Sequence, residues 1–113
     1  MVNVVCPSRY KINRLKIKSA SNESLQKHGV ASHYGLNIVF IGRTKMKSIA
    51  GKYKKEREAL PVLSFAYDHE KDNLLGEIFI CYPQAVLLAA ERNKTVEVII
   101  NSLVEHGINN ILK

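Results

Sequence analysis

VLSFAYDHEKDNLLGEIFICYP, residues 62–83, decides how this 113-residue chain folds. VLSFAY at 62–67 and GEIFICY at 76–82 are apolar, rich in β-branched and aromatic residues, and separated by the polar segment around DHEKDN. Two such runs joined by a short polar turn predict a β-hairpin. Pro61 and Pro83 bracket the pair, and Pro83 falls near the first turn of a following helix, where its missing N–H costs nothing.

Working upstream, LNIVFIG at 36–42 is a buried strand between Gly35 and Gly42. RTKMKSIAGKYKKERE at 43–58 then sets Met46, Ile49, Ala50 and Tyr53 at helical spacing, with Thr44 as candidate N-cap. VNVVC at 2–6 reads as an opening strand. Between these strands, residues 8–28 read as a basic helix followed by irregular chain. Ile12 and Leu15 fit a helical face there, Ile17 does not, and SASNES at 19–24 suits either a loop or a cap. Downstream, PQAVLLAAERN is a short helix. Asn93 or Thr95 then caps a last helix whose stripe of Val96, Ile99, Ile100, Leu103 and Val104 runs up to His106-Gly107. The order β-α-β-α-β-β-α-α predicts an α+β fold: one domain over 1–113, with a small mixed or antiparallel sheet of about four strands covered by helices.

The formal charge is +7, and it is unevenly placed. Residues 1–60 carry thirteen Lys/Arg against three Glu, a net +10, while residues 61–113 carry four against seven acids, a net −3. Such segregation suits a surface that meets a polyanion, since phosphate neutralisation releases counterions. Lys45, Lys47, Lys52, Lys54, Lys55 and Arg57, on or beside one helix, are the candidate nucleic-acid-binding residues. A basic helix meeting some other anion in a small interaction domain is the competing expectation.

Cys6 and Cys81 are too far apart for a CxxC motif and read as reduced, packed thiols. No apolar run is long enough to span a membrane, and no charged leader precedes one, so a cytoplasmic protein without a membrane partner is expected. Ser64 lacks a nucleophile-elbow context. His28 and His33 have no ligand spacing, and the carboxylate-histidine cluster of Asp68, His69, Glu70 and Asp72 could bind metal but consists of residues that a turn takes in any case. His106 lies four residues before Asn110, and residues so spaced share a helical face. An amide oxygen is a poor zinc donor compared with imidazole, so alone His106 reads as a helix-end or core histidine.

Taken together, SFAYDHEKDNLLGEIFIC followed by a helix ending Glu105-His106-Gly107 resembles the YbeY family of metal-dependent endoribonucleases. The resemblance spans roughly 36–113 and rests on Val62-Leu63-Ser64-Phe65, Leu74-Leu75-Gly76-Glu77-Ile78 and His106-Gly107. It implies a single-strand-specific endoribonuclease in ribosomal RNA maturation and quality control of the small ribosomal subunit. It also implies a zinc site that activates water on RNA phosphodiesters. Of three metal-ligand histidines it implies His106 as the first; Asn110 takes the second position and the third falls beyond Lys113. Lys54, after Tyr53, takes the place of a substrate-contacting arginine, keeping the charge without the planar fork. Leu60 and Pro61 replace the polar pair that usually precedes Val-Leu-Ser-Phe. A non-catalytic descendant that keeps only RNA or ribosome contact is the alternative.

Overall fold

A computed structural model describes residues 2–53, 60–67 and 73–113. The elements follow the anticipated order: β1 (Val2–Val5), α1 (Arg14–Lys27), β2 (Gly35–Ile41), α2 (Arg43–Tyr53), β3 (Val62–Ala66), β4 (Leu74–Cys81), α3 (Tyr82–Glu91) and α4 (Val96–Ile111). One sheet of order β1-β2-β4-β3 holds the strands. β1 pairs with β2 and β2 with β4 in parallel, while β3 returns antiparallel along β4, Val62 opposite Ile80 and Ala66 opposite Gly76. The expected hairpin is therefore the edge of a mixed sheet.

Alternation along the strands sorts side chains onto two faces. Val2, Val4, Leu36, Ile38, Phe40, Ile78 and Ile80 point to the face that α1, α3 and α4 cover, and with Ile99, Ile100, Val104 and Ile108 they form the larger core. Each such side chain, fully buried, contributes about 1.5–3 kcal/mol by leaving water. Ile41, Leu63 and Cys81 point to the other face and pack with Met46 and Ala50 of α2, flanked by the half-buried Val39, Ile49, Leu60, Phe65 and Phe79. One helix cannot cover four strands, so part of that second face stays open.

α1 differs from the sequence expectation. A single helix runs from Arg14 to Lys27, capped by Asn13, whose Oδ1 accepts from Lys16 N at 3.1 Å. Its buried residues are Ile17, Ser21, Ser24 and Leu25, whereas Leu15 is 79% exposed. Serines in the core stripe hid the period, so the 19–24 stretch is helix, neither loop nor cap. Thr44 lies inside α2, whose first turn closes as Met46 N donates to the Gly42 carbonyl, so it is not the N-cap. Thr95, not Asn93, caps α4, its Oγ1 accepting from Val98 N at 3.2 Å. That helix continues through Gly107 to Ile111, about one turn past the expected stop, because Ile108 extends the buried stripe.

Candidate nucleic-acid interface

Two clefts adjoin on the open side of the sheet. The first, about 660 Å³, lies at the carboxyl ends of β1 and β2 and is lined by Val5, Pro7, Arg9, Val39, Arg43 and Lys45, among others. Its outer wall is positioned by stacking: Tyr10 lies on Tyr82 with centroids 4.6 Å apart, and the Tyr82 hydroxyl donates to the Lys11 carbonyl at 3.3 Å. Arg9 folds over the Tyr10 ring at 4.8 Å. Arg43 and Lys45 come from the first turn of α2, where unpaired backbone N–H groups add positive potential. Crevices outside the carboxyl ends of parallel strands are where open α/β sheets take ligands, and three cations here favour an anionic one.

The second cleft, about 490 Å³, shares Lys45 with the first and is walled by Ile49, Tyr53, Phe65, Tyr67, Glu77 and Phe79. Tyr53 meets Phe65 edge-on at 5.5 Å, and Phe65 meets Phe79 at 5.8 Å. Across the sheet, Glu77 accepts from the Tyr67 hydroxyl at 2.6 Å through Oε1 and from Asn37 Nδ2 at 3.4 Å through Oε2. The bond to Glu77 pushes the Tyr67 pKa up to about 12, so its O–H stays a donor at neutral pH.

The sequence-derived basic residues separate on this scaffold. On α2, Lys45, Ile49, Lys52 and Tyr53 share one sector at 100° per residue, with the Lys52 ammonium 5.3 Å from the Tyr53 ring centroid. Lys47 points to a different sector, past the buried Met46 and Ala50. Arg14 is structural: its guanidinium donates to the carbonyls of Val4 at 2.9 Å and Cys6 at 2.6 Å, pinning the end of β1. Lys16 pairs with Glu97. Lys54, Lys55 and Arg57 lie outside the described residues, as do Asp68, His69, Glu70 and Asp72. Arg9 and Arg43 were not singled out from sequence; the available signal was a cation just past the end of each of two strands.

His106 stands elsewhere, exposed on α4. Beside it, Glu105 accepts from Ser24 Oγ at 3.0 Å and so faces α1, while His106 is turned a further 100° around the helix. Asn110 Nδ2 lies 3.2 Å from His106 Nε2, the amide donating when the ring proton is on Nδ1. His106 is therefore neither a core nor a helix-end residue.

The family profile described as Endoribonuclease YbeY matches residues 8–112. The chain belongs to the YbeY family. An Endoribonuclease YbeY of Polynucleobacter asymbioticus is 33% identical over 72 residues, 64% of this chain and 46% of that protein. One from Acholeplasma laidlawii is 32% identical over 77 residues, 68% of this chain and 56% of its own. A Dehalococcoides mccartyi YbeY aligns over 98% of this chain and 81% of itself at 27% identity. Over its stronger matches the chain thus spans about half the length of the curated relatives. In structure, a Thermotoga maritima protein solved in solution shares the fold, with TM-score 0.64 and 20% identity, covering all of this chain and 73% of that one.

The zinc that YbeY resemblance implies does not fit the donors described. Among the described residues no three His, Cys, Asp or Glu side chains converge. His106 contributes one imidazole, and the position one turn on holds an amide that hydrogen-bonds the ring nitrogen a metal would need. Replacing that amide gives a direct check. Asn110→His, pairing two imidazoles one turn apart, should tighten Zn²⁺ binding by about tenfold or more. Equal calorimetric affinities for variant and parent would show that Asn110 is not what weakens the site.

Proposed function

We propose that this chain is a single-strand-specific endoribonuclease of the YbeY type, acting in ribosomal RNA maturation and on the small ribosomal subunit. Residues 1–113 form one YbeY-like domain in this reading. The observation that carries it is the cleft of Arg9, Arg43 and Lys45 at the ends of the parallel strands, an arrangement suited to a phosphate backbone. Lys52 sits over the Tyr53 ring that walls the adjoining cleft, and Lys54, Lys55 and Arg57 continue the basic run in sequence. Lys54 supplies the charge that the family's arginine supplies to substrate. No helix of the described residues is long and apolar enough to cross a membrane, and the charge distribution suits a polyanionic partner in the cytoplasm.

A second reading, RNA held without cleavage, is favoured by the Asn110–His106 hydrogen bond, which with the ring proton on Nδ1 takes up the lone pair that metal coordination requires. One experiment separates the two. Single-stranded ribosomal RNA fragments are incubated with the protein, with and without added Zn²⁺, while binding is followed by anisotropy. New chain ends support the nuclease; binding without new ends supports the second reading. No binding at about 50 mM salt overturns both. Arg9→Ala, Arg43→Ala and Lys45→Ala should each lower the slope of log affinity against log salt by about one, for every RNA sequence alike. A slope unchanged in all three would remove the cleft from the interface.

A further inference from the structure

We infer that the aromatic cleft between α2 and the β3–β4 hairpin is a nucleobase pocket that prefers guanine, fed by a backbone track that begins at Arg9 and Arg43. The inference rests on the RNA reading above and adds to it a base-selective subsite.

The shape of the occupant follows from the lining. Phe65, Phe79 and Tyr53 offer ring faces and edges, Tyr53 being 59% exposed and Tyr67 41%. Rings left half open to water on a folded surface are stacking platforms, and every base has a π-face to place on them. Glu77 excludes a phosphate from this cleft, because two anions would repel there. Lys45 belongs to both clefts, so a phosphate held among Arg9, Arg43 and Lys45 leaves the attached base beside the rings.

The preference follows from hydrogen-bond inventory. The carboxylate of Glu77 is an acceptor with two oxygens, each with a lone pair left after taking the Tyr67 and Asn37 donors. These two partners fix its orientation from either side. Guanine presents N1–H and N2–H side by side on its Watson–Crick edge, matching two carboxylate oxygens. Adenine, cytosine and uracil lack that adjacent pair of donors. A good bidentate pair discriminates by about 1–3 kcal/mol, that is, from about fivefold to more than a hundredfold.

The test uses labelled single-stranded oligonucleotides that are abasic throughout except for one central G, inosine, A, C or U, with a fully abasic control, bound to the whole chain at fixed salt. Wild type should hold the G oligomer about tenfold tighter than the others, inosine falling between because it lacks the N2 donors. Glu77→Gln should bring G to within about twofold of uridine while leaving the abasic oligomer unchanged. Tyr53→Ala, at an exposed ring whose loss spares the core, should weaken every base-bearing oligomer several-fold and spare the abasic one. Equal wild-type affinity for all oligomers, unaltered by Tyr53→Ala, overturns the pocket and leaves the RNA reading standing. Absence of any RNA binding overturns that reading and the pocket with it. A cationic peptide that binds wild type but not Glu77→Gln, without base preference in RNA, overturns it in favour of a protein occupant.

Discussion

Gly76→Ala is expected to destabilise the fold by about 3 kcal/mol and to be the most damaging single-methyl change in the hairpin. Gly76 lies in β4 opposite Ala66, beside a register irregularity where Gly35 pairs with Leu74 and Leu36 with Gly76. A Cβ there would run into the carbonyl oxygen of Phe65 and come within 3.0 Å of Ile111 Cδ1. Backbone cannot swing aside like a side-chain end, so β3 must move away from β4. Its dihedrals are not what requires glycine, since the only positive-φ glycine among the described residues is Gly29. The requirement is the close approach of a neighbouring strand. The sign is diagnostic: at an unobstructed position the same change stabilises by about 0.4–1 kcal/mol, through a stiffer unfolded chain. Urea unfolding of parent and variant measures it, and a midpoint equal to or above the parent's would refute the crowding. A displaced β3 would also carry Phe65 and Tyr67 out of the aromatic cleft, so RNA affinity should fall with stability.

The element order, the hairpin and the family resemblance were legible because their signals are local: apolar runs of strand length, a polar turn, prolines at the boundaries. α1 was not, because half of its buried stripe is Ser21 and Ser24, and hydrophobic periodicity does not register a serine satisfied by Glu105 across a helix interface. Strand direction was open for a similar reason, since nothing in VNVVC or LNIVFIG states that they run parallel. The sequence presents five lysines and Arg57 as one run on or beside a helix, yet a helix has sides. Lys45 and Lys52 reach the cleft sector and Lys47 does not, which sequence proximity cannot express. Arg9, Arg43 and the Tyr67–Glu77 pair come from distant parts of the chain and meet only once the strand register is set. His106 was legible as a residue of interest, but its exposure and its bond to Asn110 depend on α4 continuing past Gly107.

That continuation underlies the second large effect. Gly107→Ala should destabilise the protein by about 1–2 kcal/mol, even though alanine is favoured over glycine inside a helix by about 1 kcal/mol. An added Cβ would lie 2.8–2.9 Å from three carbons of Ile78: Cδ1, Cγ1 and Cγ2. Ile78 is fully buried and β-branched, so its χ1 has little freedom to yield. The helix must then lift from β4, and His106 with it. Ile78→Ala deletes all three crowding carbons at a cost of about 2–5 kcal/mol by itself, and leaves space where the new methyl fits. In that background Gly107→Ala should reverse sign and stabilise, because helix propensity acts unopposed. The four proteins of this double-mutant cycle, compared by urea unfolding, should show coupling of at least about 1 kcal/mol in the rescuing direction. Additive effects would mean that the helix and strand do not touch at this point, and that the position of His106 over the sheet rests on other contacts.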